Sequence, residues 1–278
     1  MRLSIITIAY NNLTGLRKTV GSVLTQTQRD FEWIIVDGAS TDGTQDYLQD
    51  MRQQWQGKPK YLQIISEPDS GIYNAMNKGV CLAHGEYLLF LNSGDCLAEK
   101  DTIEQLYKQP VATDIAYGYQ YDDINGERVL EQCIDVAYIT FDTLRNTHIP
   151  HQSTLIRREA LLRLGGYDES YKIVSDWAFM MKGLFKYDLT IARIPQYIAV
   201  YDTNGISSTT DKSFQWQERT EFLHKEFPLF MPDYERWDRL NRNAYMKLIH
   251  ALRNVKNKLL YLLSYKNVSD KGKVRLKN

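Results

Sequence analysis

The stretch Tyr87-Leu88-Leu89-Phe90-Leu91-Asn92-Ser93-Gly94-Asp95 decides the fold predicted for this 278-residue chain. It opens with five large apolar residues, a run too short for a membrane span and typical of a strand that is buried on both faces. The run then changes abruptly to turn-forming residues. Because open α/β sheets bind ligands at the carboxyl ends of their strands, Asp95 is expected at a ligand site. The alternative, from the residues alone, is that Asp95 caps a helix starting near Lys100.

The segments before this stretch alternate between short apolar runs and segments with a helical spacing of apolar residues. The predicted strands are 3–9, 31–36, 61–66 and 87–91, and the predicted helices are 13–26, 44–55 and 72–83, the second capped by Ser40, Thr41 or Asp42. Such alternation with short connections predicts right-handed βαβ units and a parallel sheet of the nucleotide-binding type. The later chain predicts a hairpin turn at Asn125-Gly126, helices at 157–164 and 177–185, and a strand at 191–201.

The cysteines and the hydropathy pattern indicate a cellular compartment. Cys81, Cys96 and Cys133 are irregularly spaced and match neither a disulfide framework nor a zinc site, which favours a reducing cytoplasm. The first residues show no secretory signal pattern, and no stretch reaches the apolar length of a transmembrane helix. We therefore expect a cytoplasmic protein.

The net charge of zero hides an asymmetry. Residues 241–278 contain ten Lys or Arg and one acidic residue, a charge of +9, so residues 1–240 carry −9. Apolar residues recur in this basic segment at helical spacing: Leu248, Leu252, Val255, Leu259 and Leu262, with Ile249, Leu260 and Leu263 beside them. A basic helix with an apolar stripe suits an anionic membrane surface, and its spacing also suits a homodimeric coiled coil or docking against the body. The acidic body argues against nucleic-acid binding.

Three of the first four predicted strands end at a carboxylate within a turn, namely Asp37, Asp69 and Asp95. Each one alone is more often structural than functional. Together at one sheet edge they would repel a bare diphosphate, unless a divalent cation bridges the carboxylate and phosphate oxygens. An all-oxygen ligand set favours Mg²⁺ or Mn²⁺ over Zn²⁺. The sequence contains neither a Gly-x-Gly-x-x-Gly fingerprint nor a Walker-A loop, so a glycine cradle for phosphates is not expected.

The order of the motifs resembles the family-2 glycosyltransferases of GT-A fold. The resemblance covers roughly residues 3–210 and is carried by Ser4-Ile5-Ile6-Thr7, Tyr10-Asn11, Val36 to Thr44, Glu67 to Gly79, Gly85-Glu86-Tyr87 and Leu91 to Asp95. It implies a Rossmann-like, mostly parallel central sheet flanked by helices. Residues 1–220 would form the glycosyltransferase domain, and residues 221–278 a helical, basic C-terminal appendage.

The resemblance also implies roles for individual residues. The nucleotide-sugar site would contain Thr7, Ala9, Tyr10, Asp37, Asp69, Asn92 and Ser93, with Asp37 holding the base. Asp95 would bind the metal, Mn²⁺ or Mg²⁺, in the place of the family's Asp-x-Asp motif. Asp176 would be the general base, and His151 and Trp177 would contact the acceptor or the donor sugar. From the residues alone, Asp176 could instead cap its helix together with Ser175, and His151 could be packed in a loop.

The implied reaction is inverting transfer of one sugar from a nucleoside-diphosphate donor, a UDP-sugar, to a saccharide or lipid-linked saccharide hydroxyl. The enzyme would be of the hexosyl- or N-acetylhexosaminyltransferase type and would act in cell-surface polysaccharide assembly, peripherally at the inner face of the membrane. Asn92 and Gly94 stand where the family commonly has carboxylates, so strict metal dependence is not implied. The alternatives are a non-catalytic nucleotide-sugar-binding subunit and, less favoured because no Gly-rich Lys/Arg loop follows the first strand, a nucleotidyltransferase.

Overall fold

The computed structural model describes residues 2–55, 61–131, 134–241, 247–256 and 258. The chain divides into two compact units, Met1–Thr220 and Glu221–Asn278. The first unit contains a nine-stranded sheet with helices packed on it. The division of the chain into a catalytic domain and an appendage with separate roles stays a prediction.

The strands and helices follow in chain order. The strands are β1 Leu3–Ala9, β2 Glu32–Asp37, β3 Tyr61–Ser66, β4 Tyr87–Phe90, β5 Cys96–Leu97, β6 Ile115–Ile124, β7 Glu127–Leu130, β8 Thr154–Arg157 and β9 Ile191–Asp202. The helices are α1 Leu13–Leu24, α2 Thr44–Gln53, α3 Ile72–Leu82, α4 Thr102–Tyr107, α5 Phe141–Asn146, α6 Arg158–Arg163, α7 Ser175–Lys186, α8 Ile206–Thr209, α9 Lys212–Glu226 and α10 Met231–Asn241.

The sheet has the order β3-β2-β1-β4-β8-β6-β9-β5, and β7 pairs with β6 as a hairpin. The predicted α/β fold, a central sheet flanked by helices, is confirmed. Strands β3, β2, β1 and β4 are parallel, as predicted, but β8 runs antiparallel to both of its neighbours and the second half of the sheet is mixed. Strand β8 was not predicted, because a four-residue strand that leads directly into a helix shows no period of its own.

The core explains why the first strands were predictable. Every residue of β1, β2 and β4 is buried, since helices cover both faces of the parallel half of the sheet. Trp33, Tyr87 and Phe90 are among its largest fully buried side chains. The apolar runs that identified these strands are therefore the centre of the core.

The strand directions gather several loops at one edge. The carboxyl ends of β1 to β4, β6 and β9 point the same way, and β8, which runs in the opposite direction, begins there. The residues that follow β4 and β9 and those that precede β8 consequently lie at the same edge of the sheet. This edge carries the predicted site residues.

The loops after β1 and β2 are tied to each other. The Asn11 N–H donates to Ser40 Oγ at 2.7 Å, and the Thr41 N–H donates to Asn11 Oδ1 at 2.8 Å. Asp42 accepts from the N–H of Leu13 at 2.8 Å and from that of Thr44 at 3.2 Å, so it serves the first turns of both α1 and α2. Of the three predicted candidates for capping α2, Asp42 accepts from an N–H of its first turn, whereas the side chains of Ser40 and Thr41 bond to Asn11.

The second unit contains α10 and a helical segment over 247–256. In that segment Leu248, Leu252 and Val255 are each more than half exposed, and each is next in sequence to a basic residue: Lys247, Arg253 and Lys256. The rest of the predicted stripe, from Leu259 to Leu263, lies outside the described residues. No helix within the described ranges is long and apolar enough to cross a membrane.

Glu32, at the start of β2, supports a prediction about stability. Its carboxylate accepts hydrogen bonds from Ser4 Oγ at 2.6 Å, the His84 N–H at 2.7 Å and Gln63 Nε2 at 3.1 Å. Burial acts to raise the pKa of Glu32, but the hydrogen bonds from His84 and Ser4 outweigh it and hold the pKa below its ordinary value. This group therefore stabilises the fold above its unfolded pKa, and the contribution is lost as the pH falls through the folded pKa.

We expect Glu32→Gln to lower the free energy of unfolding at pH 7 by about 1–3 kcal/mol, because the amide nitrogen cannot accept these hydrogen bonds. The difference between wild type and variant should shrink as the pH falls below about 4.5, the ordinary pKa of a glutamate. Urea unfolding across this pH range measures both effects, with the exposed Glu159→Gln as the matched control. A difference that is independent of pH would contradict the assignment.

Candidate active site

The turn after β4 is fastened to helix α1. Asn12 Nδ2 donates to the Ser93 carbonyl at 3.1 Å, and Ser93 Oγ donates to the Asn12 carbonyl at 3.0 Å. Thr19 accepts from the Gly94 N–H at 3.0 Å and donates to the Asn92 carbonyl at 3.1 Å. Gly94 has a φ of +111°, a conformation that other residues rarely adopt. Asn12 and Thr19, which sequence reasoning missed, thus fix the position of Asp95.

Asp95 is buried in this turn, with 3% of its surface exposed. Its Oδ1 accepts a hydrogen bond from the Asp202 N–H at 2.9 Å. Helix α4 begins at Thr102 with Asp101 at its cap position, so the alternative that Asp95 is a helix cap is wrong. Burial, and secondly the Asp202 carboxylate, raise the pKa of Asp95 to about 7, although hydrogen bonds from the Asp202 N–H and Gln152 act in the opposite direction.

Asp202, the last residue of β9, is a site residue that sequence reasoning missed. A Cβ at Gly94 would lie 2.5 Å from Asp202 Oδ2, so the missing side chain makes room for this carboxylate. Asn204 donates to Oδ1 through its N–H at 3.0 Å and its Nδ2 at 2.9 Å, and Oδ2 has no hydrogen-bond partner among the described residues. The sequence could have indicated it, because Asp202 is a carboxylate that directly follows a predicted strand, as Asp37 does.

The pair Asp95 and Asp202 fits a divalent cation. Two neighbouring carboxylates, one of them buried, repel each other, and a cation between them would remove that repulsion. Oxygen ligands suit Mg²⁺ or Mn²⁺. Within the described ranges no group of three or more His, Cys, Asp or Glu side chains could hold a metal ion, so the remaining ligands would have to come from water or substrate.

An aromatic and acidic surface lies at the carboxyl ends of β1 and β2. The Tyr10 side chain is 67% exposed. A Cβ at Gly38 would lie 2.5 Å from Asp69 Oδ2 and 3.1 Å from Tyr10 Cδ2, so both side chains flank a glycine. Asp37 is fully buried, and its oxygens accept from Ser40 Oγ at 2.5 Å and Ser66 Oγ at 2.6 Å. The Tyr10 ring is therefore accessible beside the Asp69 carboxylate, whereas Asp37 organises the adjacent loops.

Two of the predicted pocket residues, Thr7 and Ala9, are buried in the structure. Thr7 is fully buried and accepts a hydrogen bond from Trp33 Nε1 at 3.0 Å, so the prediction that it lines the pocket is wrong. Successive residues of a strand face opposite sides, and Thr7 shares the core-facing side of β1 with Ala9. The Ala9 side chain is 5% exposed, and its carbonyl accepts from the Gly38 N–H at 2.9 Å.

Asp176 lies in the first turn of α7 and is partly exposed. The cap position of α7 is Val174, without a side-chain hydrogen bond, so the alternative that Asp176 and Ser175 cap this helix is wrong. The Tyr73 hydroxyl lies 2.8 Å from Asp176 Oδ1 and 2.6 Å from the Ile173 carbonyl. Burial, together with the nearby Asp176 carboxylate, raises the pKa of Tyr73, which stays a hydrogen-bond donor at neutral pH.

A second carboxylate holds the loop that presents Asp176. Glu218, on α9, is buried and accepts from the Lys172 N–H at 2.7 Å and from the Ile173 N–H at 3.0 Å. The same Ile173 bonds through its carbonyl to Tyr73. The sequence around Glu218 gave no signal of this contact, since the contact depends on the packing of α9.

His151 and Trp177 are packed side chains. His151 is 6% exposed, its ring centroid lies 4.9 Å from that of Phe90, and its Nε2 is 2.8 Å from the Tyr167 hydroxyl. Burial lowers the pKa of His151, which favours its neutral form. Trp177 is 4% exposed and donates from Nε1 to the Leu144 carbonyl at 2.8 Å. The structure contains the packed histidine that was the alternative, and a contact of either side chain with a sugar stays a prediction.

The loop before β8 connects the two acidic groups. Gln152 acts to lower the pKa of Asp95, and the Asp176 carboxylate acts to raise the pKa of the adjacent His151 against the larger effect of burial. The structure therefore brings Asp95, Asp202 and Asp176 to the same edge of the sheet. Such a site can hold a cation on one side and accept a proton on the other.

Comparison with known proteins identifies related sequences. A family model described as "Glycosyl transferase family 2" matches residues 4–165. An uncharacterized glycosyltransferase of Mycobacterium tuberculosis (strain ATCC 25618 / H37Rv) is 30% identical over 234 residues, which cover 81% of this chain and 85% of the relative. A PGL/p-HBAD biosynthesis glycosyltransferase of Mycobacterium bovis (strain BCG / Pasteur 1173P2) is 32% identical and covers 76% of this chain and 81% of the relative. The putative teichuronic acid biosynthesis glycosyltransferase TuaG of Bacillus subtilis (strain 168) is 29% identical, with 81% and 87% covered.

Solved structures share the fold at low sequence identity. S. aureus TarS 1–349 in complex with UDP-GlcNAc matches with a TM-score of 0.64 and 19% identity, covering 81% of this chain and 66% of that one, just under two thirds. The mannosyltransferase PcManGT from Pyrobaculum calidifontis, in complex with GDP-Man and Mn²⁺, matches with a TM-score of 0.54 and 17% identity, covering 78% and 60%.

The raised pKa of Asp95 leads to a prediction about stability and metal binding. Because its folded pKa is raised to about 7, the stability it contributes is present below its ordinary pKa of 3.8 and is lost as the pH rises towards 7. We expect Asp95→Asn to be more stable than the wild type by about 2–4 kcal/mol at pH 8 without metal, and nearly equal at pH 4. Thermal unfolding at both pH values measures this.

The same experiment with added Mn²⁺ tests the cation site. The ion should raise the melting temperature of the wild type at pH 8 but leave that of Asp95→Asn unchanged, since a ligand stabilises only the state that binds it. The exposed Asp50→Asn is the control and should respond like the wild type. An equal Mn²⁺ response in wild type and Asp95→Asn would rule out the site.

Proposed function

Because this chain belongs to glycosyl transferase family 2, we propose that it moves a single sugar from a UDP-sugar to a hydroxyl group of a saccharide, with inversion at the anomeric carbon. It would act as a hexosyl- or N-acetylhexosaminyltransferase on a free or lipid-linked saccharide, in cell-surface polysaccharide assembly. Relatives named for PGL/p-HBAD and teichuronic acid biosynthesis support a role of this kind.

The observation that carries the proposal is the pair of neighbouring carboxylates, Asp95 and Asp202, at the same sheet edge as Asp176. A nucleoside-diphosphate donor brings phosphate oxygens, which complete a cation site of this kind. The solved structures of TarS with UDP-GlcNAc and of PcManGT with GDP-Man and Mn²⁺ support a nucleotide-sugar donor and a divalent metal. The second carboxylate also weakens the alternative of a non-catalytic binding subunit, which was motivated by the sparse Asp-x-Asp motif.

The nucleoside would lie on the surface formed by Tyr10, Gly38 and Asp69. The exposed Tyr10 ring offers an aromatic face on which a base can stack. The absence of a side chain at Gly38 lets the Asp69 carboxylate and the Tyr10 ring lie close together beside the backbone there. Asp37 would hold the shape of this surface through Ser40 and Ser66, with Asn92 and Ser93 near the diphosphate.

Asp176 would act as the general base. It accepts the proton of the acceptor hydroxyl while the hydroxyl oxygen forms a bond to the anomeric carbon and the bond to the diphosphate oxygen breaks on the opposite face. Tyr73 holds Oδ1, and Oδ2 makes no hydrogen bond with a described residue and is available for the proton. A divalent cation at Asp95 and Asp202 would stabilise the charge on the departing nucleoside diphosphate.

We expect Asp176→Asn to lower the rate of sugar transfer by about 10²–10⁴-fold, the usual contribution of a general base. The affinity for UDP with Mn²⁺, measured by calorimetry, should stay within about twofold, because the asparagine keeps an oxygen for Tyr73. Asp50→Asn serves again as the exposed control. Unchanged turnover in Asp176→Asn would refute the role of base.

Calorimetry also tests the donor. UDP should bind more tightly than GDP, and removal of Mn²⁺ should weaken the binding of both, since the diphosphate then faces uncompensated carboxylates. Hydrolysis of a panel of nucleotide sugars would next identify the sugar. If neither nucleotide binds, with or without Mn²⁺, the glycosyltransferase assignment of this site fails.

The basic C-terminal segment would hold the enzyme at the inner face of an anionic membrane, close to a lipid-linked acceptor. Its support is the helical segment 247–256, in which the exposed Leu248 and Leu252 are next in sequence to Lys247 and Arg253. Dimerisation through the same stripe is the competing explanation, since an apolar stripe also suits a coiled coil.

Liposome flotation separates these two explanations. The full chain should float with vesicles containing anionic lipid, whereas a truncation after Asn241 and the full-length double variant Leu248→Gln, Leu252→Gln should remain unbound. Neutral vesicles are the control. Equal flotation of all three proteins would remove the membrane role, and a loss of dimer in the variants, measured by light scattering, would favour the coiled coil.

A further inference from the structure

Arg219 is a cation near Asp176, the proposed base. Its guanidinium forms no ion pair with a described residue. It lies on α9, beyond residues 4–165 that match the family. Its guanidinium carbon is 4.6 Å from the ring centroid of Trp177 and 5.5 Å from that of Trp216. Its Nη1 donates to the Thr147 carbonyl at 3.1 Å. These contacts hold the group in one place.

The hydrogen-bonding capacity of Arg219 is largely unused. Its Nε is buried without a hydrogen-bond partner, and the guanidinium forms no ion pair with a described residue. Burial lowers the pKa of Arg219, while the Asp176 carboxylate nearby acts in the opposite direction. An arginine nevertheless keeps its charge in a protein, so its burial carries a cost that an anionic ligand would offset.

His148, a basic group near Arg219, already has a partner. His148 Nε2 lies 2.8 Å from Glu131 Oε1, and this hydrogen bond raises the pKa of His148 above its ordinary value. Trp216, on the other hand, is 46% exposed beside Arg219 and offers an aromatic face to a sugar ring. A saccharide stacked on Trp216 would place a substituent at the guanidinium.

We propose that Arg219 is an anion subsite for the acceptor, which binds a phosphate or carboxylate group carried by the acceptor saccharide close to the hydroxyl that Asp176 deprotonates. The planar guanidinium can donate two parallel hydrogen bonds to either group. The two sides of the site then have opposite charge requirements: unpaired carboxylates face the donor and its metal, and an unpaired cation faces the acceptor. The subsite rests on the proposed function of Asp176.

Calorimetry with three probes that differ only in charge tests this subsite. The full chain is saturated with UDP and Mn²⁺, so that the donor side is occupied, and is titrated with a hexose phosphate, the corresponding hexuronic acid and the neutral methyl hexoside. We expect at least one anionic probe to bind about tenfold or more tightly than the neutral one, the usual effect of a charge-assisted hydrogen-bond pair. A preference for the phosphate or for the carboxylate identifies which group the acceptor carries.

Variants assign the preference to Arg219. Arg219→Met keeps the packing of the stem on Trp177 but removes the charge, and should abolish the preference while the affinity for UDP stays within about twofold. Arg219→Lys keeps the charge without the planar fork and should retain part of it. The exposed Arg163→Met is the matched control and should behave like the wild type.

The subsite would be overturned by equal binding of charged and neutral probes to the wild type, which includes no binding of any probe. A preference that persists in Arg219→Met would overturn it as well. A large loss of UDP affinity in Arg219→Met would also overturn it, by placing the arginine on the donor side. Failure of the glycosyltransferase proposal is distinguishable, because UDP would then not bind to the wild type, whereas the three probes can still be titrated without UDP.

Discussion

The burial of Asp95 beside a second carboxylate is the constraint on which the site depends. A buried carboxylate with a pKa near 7 is unfavourable in its charged form, which a proton or the proposed cation would neutralise, and it is held in place by a rigid support. The support comes from Asn12 and Thr19, which make four hydrogen bonds to the turn. A fifth hydrogen bond joins the Ser93 N–H to a carbonyl of β1. The fold therefore carries a local electrostatic cost at the end of β4, which the proposed cation would remove.

The sequence predicted those features of the fold that depend on residues close together in the chain. Strands β1, β2 and β4 were identified because strands buried on both faces are mainly apolar, and the parallel half of the sheet, with β3 at its edge, follows from the alternation of strands with helices. Thr7 was misassigned because the family motif does not show which side of β1 a residue faces. Asp202, Glu218 and Arg219 were missed as site residues because their positions depend on how β9 pairs and how α9 packs, which spacing along the chain does not encode.

The electrostatics of the site run against the average of the chain. The body carries an excess of acidic residues, and the unpaired carboxylates at the carboxyl edge belong to this excess. Arg219 is a local exception, shielded by Trp177 and Trp216. Desolvated charges interact more strongly than those in water, so one guanidinium can determine what binds near Asp176 although the surrounding surface is negative. The net negative charge of the body alone would have predicted that this region repels anions.

Helix α9 has a consequence for how the protein is made. Glu218 and Arg219 contact Lys172 and Thr147, and Asn12 supports the same edge of the sheet from the other end of the chain. Contacts between residues so far apart in sequence form late in folding, because a long loop must close first. A nascent chain that does not yet include α9 therefore lacks Glu218, which holds the loop that presents Asp176. Incomplete translation products would be unable to consume the activated sugars of the cell.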